Sequence, residues 1–451
     1  MMLFILLPAH RALLWSVLGA YLILPVGTAF EIPGIPSLDK TTISNLSILL
    51  CCFLFVREKW LGALRQPTFM ALAAIFILSP FFTATFNPEP LVYADRFIPA
   101  MSMYDAFAQA AVNCMTLIPF VAAYGLINTD QRRRQVIFII ITAALAYSVL
   151  MWIEMRLSPQ LHRMVYGFFP HSFGQQMRGG GFRPVVFLGH GLLVAIFCAM
   201  VATAAITQWR ESRGRQRTRA GLIAAYFGIL LVLCKSVGAV ILAAVFVPLV
   251  GFLRAKRIAA ISATVCIMML MYPAIRSAGL VPTLTISELA GSLSSDRQGS
   301  LGVRLNNEDQ LLQKLSDKPI FGWGSWGRNR IYSSEDGRDL SVTDGAWIIT
   351  LGMWGWIGYL SIFGILSLGS VRLFWHKKIL RFVSIPSATL CALLAMNLMD
   401  SIPNASIRPI TWLIAGATFA IAYPKRVVLK SSASSSEDDR SGAPGASTMR
   451  V

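Results

Sequence analysis

The chain has 451 residues, 55% of them hydrophobic and 14% charged, with a mean hydropathy of +0.61. A soluble protein of this length needs more polar surface to cover its core, so the composition excludes that class and points to a membrane. A net charge of +18 is ordinarily a sign of nucleic-acid binding, but its placement along the chain assigns it elsewhere.

The apolar residues come in continuous blocks of about 16 to 25, the length that crosses roughly 30 Å of hydrocarbon as helix. Strict alternation of apolar and polar residues, the mark of a membrane β-barrel, is absent. The blocks lie near 12–29, 41–56, 68–86, 104–127, 135–153, 185–207, 220–235, 237–253, 258–275, 344–370, 384–400 and 408–423. They predict an all-α integral membrane protein: a polytopic bundle of about 12 transmembrane helices within residues 1–425, carrying two long outer loops. Met1 to Leu7 is apolar but lacks a basic start and a small-residue cleavage site, so it reads as the approach to the first span. The seven cysteines sit in or beside apolar blocks without metal-site spacing, which argues against a disulfide framework.

Alternate connections are basic: Arg57/Lys59/Arg65, Arg132 to Arg134, Arg210 through Arg219, Arg254/Lys256/Arg257 and Arg372/Lys377/Lys378/Arg381. By the positive-inside rule these face the cytoplasm, together with both termini, in a bacterial inner membrane. That side then holds 24 Lys/Arg and 6 Asp/Glu, and the other side 16 of each. The high charge is therefore a topology signal, and no nucleic-acid partner is expected.

Two predicted outer loops, 154–184 and 276–343, are too long to be plain connectors. The tail, 426–451, is polar and low in complexity and reads as a disordered cytoplasmic segment. The first loop carries four arginines against one acid and ends in Arg178-Gly-Gly-Gly-Phe-Arg183-Pro. Glycines admit a ligand close to the backbone and arginine grips phosphate oxygens with two bonds, which makes Arg178 and Arg183 candidates for a lipid-linked pyrophosphate. The competing reading of Arg183 is an anchor of a helix end at lipid phosphates. Lys235 interrupts an apolar stretch two spans long and should occupy a tight outer turn, as a functional cation or as a lysine snorkelling to the surface.

In the second loop Val303 to Leu315 is amphipathic, with Leu305, Leu311, Leu312 and Leu315 on one side. It reads as a helix along the membrane surface, ended by Asp317-Lys318-Pro319, with Arg304 near its start. Phe321-Gly-Trp-Gly-Ser-Trp-Gly327 contains G-x-G-x-x-G, but no strand precedes it, so a dinucleotide site is ruled out. Its two tryptophans fit sugar stacking or, better, the interfacial aromatic belt. Asp344 opens the tenth span, as a base for an attacking hydroxyl or as an ordinary helix cap. His162, His171 and His190 lack ligand spacing, and neither a metal nor a cofactor is expected.

Three stretches together resemble the O-antigen ligase and polymerase family of bacterial surface-polysaccharide assembly: Arg178 to Gly191, Arg304 to Gly327, and Asp344 to Gly358. In the third, the family's ligases have a His, a polar residue and two spaced glycines; here Gly355 and Gly358 keep the spacing, while Asp344 and Gly345 replace the first two. The resemblance implies a metal-independent membrane glycosyltransferase acting at the periplasmic face. Without the ligase His, it implies an exopolysaccharide repeat-unit polymerase that uses undecaprenyl-pyrophosphate-linked oligosaccharide among membrane lipids, alongside a flippase and a chain-length and export complex. Arg178, Arg183 and Lys235 would bind the pyrophosphate, with Lys235 departing from the usual Arg, while Arg304 and Asp344 would be catalytic. The alternatives are a ligase joining finished chains to an acceptor and a transporter of lipid-linked sugars. The transporter would want ionisable groups deep in the spans and repeated halves.

Overall fold

The computed structural model describes residues 1–31, 37–57, 60–178, 180–293, 295–405 and 407–424. The predicted tail and Lys59 lie outside these residues. Each predicted apolar block overlaps helix. Among the described residues six helical stretches are long and apolar enough to cross a membrane: Pro67–Thr85, Met103–Leu126, Asp130–Leu157, Gly191–Glu211, Ala255–Ser277 and Ala346–Trp375. Five more apolar helices are shorter: Ala9–Ile23, Lys40–Phe55, Val237–Phe252, Ile385–Asp400 and Pro409–Ala422. Gly214–Leu233 carries Arg215, Arg217 and Arg219 in its first two turns. The fold is thus all-α, and its long apolar helices suit a membrane-spanning bundle. The strands among the described residues are three short antiparallel hairpins in connections.

Gly191–Glu211 is the centre of the bundle. It packs against Asp130–Leu157, Gly214–Leu233, Val237–Phe252 and Ile385–Asp400, and its middle, from Val194 to Ala205, is entirely buried. A helix apolar all round belongs in such a place. Ala346–Trp375 joins Ala255–Ser277, Pro67–Thr85 and Pro409–Ala422.

Several boundaries differ from the sequence reading. Residues 185–189 are buried but not helical, because the chain turns through Val186 at φ +48° before its helix starts at Gly191. Pro119 has no N–H to donate, and the predicted fourth span divides at Leu117 into Met103–Thr116 and Ile118–Leu126. About half of the second long loop is helical, as Thr283–Leu293 and Ser295–Leu315. The latter does not simply lie along a surface: Leu311 and Leu315 are buried in the main core. Arg276, itself buried, holds this helix through Asp309 at 2.7 Å and Glu308 at 3.4 Å.

The largest departure concerns Phe321 to Gly327, which is more than an aromatic belt at the interface. Ala346–Trp375 breaks at Gly355, where φ is +62°. A continuous helix would bond Trp356 N–H to Gly352 and Ile357 N–H to Met353. Instead Trp356 and Ile357 donate to the carbonyls of Pro319 (2.9 Å) and Ile320 (3.2 Å). The freed carbonyls of Gly352 and Met353 accept from Trp323 and Gly324, both at 2.9 Å. The loop thus supplies every bond that the break removes. Thr83 donates to the carbonyl of Phe321 and Asn87 to that of Gly322. Arg328, fully buried, donates to the carbonyls of Trp323, Pro99 and Glu89.

A side chain at Gly355 would combine an unfavourable backbone angle with a Cβ 2.2 Å from the carbonyl oxygen of Ile320. Gly355→Ala should cost about 2–4 kcal/mol and lower the unfolding midpoint in detergent by several degrees. Gly238→Ala, in a helix with open space around it, should leave the midpoint within a degree or two. Equal midpoints for the two variants would remove the role given to the break.

Candidate functional site

Glu154 builds the first wall of the site. The sequence places it at the start of a long outer loop, and the structure buries it near the end of Asp130–Leu157. Its carboxylate accepts from the N–H groups of Val185 and Val186, both at 2.7 Å, and of Leu161 at 3.0 Å. Tyr147 Oη accepts from Phe187 N–H at 3.0 Å. A buried carboxylate needs several donors to remain ionised, and here the donors are the backbone that must be held. The non-helical stretch before Gly191 is fixed in this way.

Just upstream, Met177–Arg178 pairs with Gly181–Phe182 as a tight hairpin turning at Gly180, φ +69°. Lys235 lies at the predicted turn between Gly214–Leu233 and Val237–Phe252, in the left-handed region at φ +53°. Its Nζ donates to the carbonyl of Arg178 at 2.5 Å, which clamps the hairpin. Met177, Arg178, Gly180, Gly181 and Phe182 line an open groove of about 320 Å³. Arg178 is exposed beside it.

Arg183 does not share that exposure. It is 1% exposed, and its Nε donates to the carbonyl of Cys234 at 3.2 Å, at the end of Gly214–Leu233. Burial, with Arg178 nearby, pushes its guanidinium down to about 10. Arg183 is therefore neither a lipid-facing anchor nor a group lining the open groove.

His190 caps the Gly191–Glu211 helix, its Nδ1 accepting from Leu192 N–H at 3.0 Å. The His171 ring stands edge-on to it, centroids 4.8 Å apart, and its Nδ1 accepts from Ser172 N–H. Both neutral rings thus carry their proton on Nε2. Burial first, then His171, Arg183, Arg178 and Arg304, lower the His190 pKa to about 4. One imidazole therefore senses three of the predicted arginines, two from the first long segment and one from the second.

Arg304 and Asp344 meet directly, Nε to Oδ2 at 2.9 Å, each side chain 37% exposed. The cap reading of Asp344 is corrected here: Gly345 is the N-cap and no side chain caps that helix. Ala346 N–H donates to the carbonyls of Ser401 and Asn404. Those carbonyls lie in a turn organised by the buried pair Asp400 and Arg408, with Asn397 accepting from Arg408 and Asn404 donating to Asp400. A side chain at Gly345 would strike the carbonyl of Ile402 at 2.3 Å.

The structure thus brings Arg178, Arg183 and Lys235 together, and joins Arg304 to Asp344. Sequence reasoning missed Glu154, Gln176, Arg328 and the Asp400–Arg408 pair as organisers. Charges at the ends of apolar blocks were the available signal for Glu154, Asp400 and Arg408. Gln176 and Arg328 had none.

The low His190 pKa has a measurable consequence. Unfolded, the ring takes up a proton near pH 6.5; folded, it refuses one until about pH 4. Its contribution to stability is therefore complete above pH 6.5 and is lost as pH falls toward 4. His190→Asn, which can still cap the helix, should flatten that part of the stability curve measured by unfolding in detergent. An unchanged curve would show that His190 does not titrate this way.

Neither a protein-family model nor a curated protein sequence matches this chain.

Proposed function

We propose that this chain is a polysaccharide repeat-unit polymerase of the bacterial inner membrane. In this reading twelve helices span the bilayer, both termini are cytoplasmic, and the site faces the periplasm. The growing chain passes from undecaprenyl pyrophosphate to a hydroxyl of an incoming lipid-linked unit, for exopolysaccharide synthesis. One observation carries the reading: a carboxylate paired with a half-exposed arginine, Asp344 with Arg304, in a basic neighbourhood that includes Arg178.

The chemistry needs two things. The bond from the anomeric carbon to the pyrophosphate oxygen breaks, and its electron pair leaves as pyrophosphate charge that cations must stabilise. The attacking hydroxyl forms the new glycosidic bond and gives up its proton to a base. Arg178 and Arg304 take the first role. Lys235 acts by adding charge and by holding the Arg178 hairpin. Arg183 adds positive potential from beneath. Asp344 takes the proton once substrate phosphate draws Arg304 away. A half-exposed ion pair is worth about 1 kcal/mol or less, so a polyanionic ligand can open it.

The decisive experiment deletes the gene and sizes the carbohydrate left on the carrier lipid. Single repeat units on the carrier, with long polymer lost, are expected. Long chains still on the carrier would mean a ligase, and units held on the cytoplasmic leaflet would mean a transporter. On complementation, Asp344→Asn and Arg304→Lys should each slow polymer formation by about 10²-fold or more. Full polymer from Asp344→Asn would exclude Asp344 as the base.

A further inference from the structure

Beneath the open groove, Arg183 and Gln176 are both buried, at 1% and 0% exposure. Each keeps an N–H donor without a partner: Nη2 of Arg183 and Nε2 of Gln176. The two residues are neighbours, because Arg183 N–H donates to the backbone carbonyl of Gln176 at 2.9 Å. Both border the start of the Gly191–Glu211 helix. Gln176 Oε1 accepts from Gly191 N–H at 3.4 Å, and a Cβ at Gly191 would lie 3.1 Å from Gln176 Oε1 and 3.2 Å from Arg183 Nε.

The charge here is uncompensated. Among the described residues no carboxylate pairs with Arg183. Glu154, close in the fold, commits its oxygens to Leu161, Val185 and Val186. The Cys234 carbonyl serves only the Nε side of the guanidinium. Arg178 adds positive potential, and so does the N-terminal end of a 21-residue helix. A buried cation with an orphaned donor is costly unless a counter-charge accompanies it.

We propose that Arg183 and Gln176 hold a halide-sized inorganic anion at the head of the Gly191–Glu211 helix, in a site separate from the groove above it. The size follows from the packing. Both residues are closed off from solvent and their two unpartnered donors are enclosed, which suits a single-atom anion and not a multi-oxygen group. The bound anion neutralises Arg183 and ties the Arg178 hairpin to the central helix. It also sets the potential that the groove presents.

The test uses the full chain in detergent, with sodium chloride replacing sodium gluconate at constant ionic strength. Wild type should show a saturable rise in unfolding midpoint of about 3 °C or more. Gln176→Leu should raise the half-saturating chloride concentration at least tenfold, and Arg183→Met should abolish the dependence. Bromide in crystals of the wild type should give an anomalous peak in contact with both Arg183 Nη2 and Gln176 Nε2, a readout that stands even if a variant fails to fold. A midpoint indifferent to chloride, an equal rise in Gln176→Leu, or ordered water in place of bromide would overturn the site. So would inorganic pyrophosphate displacing the bromide, because the pocket would then belong to the groove.

Discussion

A helix interrupted inside an apolar bundle leaves backbone groups that water cannot reach, and each must find another partner. At Gly355 the partners are residues 319–324, which return four hydrogen bonds for the two that the break removes. That exchange pins the end of the Ser295–Leu315 helix, and therefore the region of Arg304, to the helix that follows Asp344. Arg328 and Asn87 extend the same fixation to the connection after Pro67–Thr85. The second long segment is a scaffold anchored in the bundle, and the break at Gly355 in the Ala346–Trp375 helix is what allows the anchoring.

The first long segment is fixed by a different device. Glu154 does with one carboxylate what the inserted loop does with backbone: it satisfies donors in a stretch that has no helical partners. Lys235 then closes the hairpin from the opposite side. His190 responds electrostatically to arginines of both segments. Cations collect there from three places in the chain, while the nearest carboxylates are occupied in structural bonds or, for Asp344, in a half-exposed pair. A site so built has a standing demand for negative charge, which a polyanionic ligand would meet.

Beside it, Asp400 and Arg408 form a buried ion pair whose worth is positional. Such pairs seldom add net stability, because desolvation offsets the Coulomb attraction, but breaking one leaves a charge stranded. Here the pair shapes the turn whose carbonyls hold Ala346 N–H, leaving Asp344 free of capping duty and able to face Arg304.

The apolar blocks alone determined that the protein is helical and suited to a membrane, because hydrophobic run length follows directly from the sequence and helices follow from the need to pair backbone groups. Lys235 at a turn was legible for the same reason, since a charge divides two apolar runs. The ending of the Ser295–Leu315 helix before Pro319 was written locally too. Other features depended on what lies opposite each residue. Residues 185–189 are as apolar as a helix, yet the Glu154 carboxylate takes the N–H groups of Val185 and Val186 and Tyr147 takes that of Phe187. Gly322 to Gly327 read as a surface turn, yet they fill a gap that exists only because another glycine, at 355, breaks a helix. Arg178 and Arg183 look alike in sequence, and only tertiary packing decides that one faces an open groove and the other is buried with an unanswered donor. Run length and charge placement are local properties of a chain; the destination of a hydrogen bond is not.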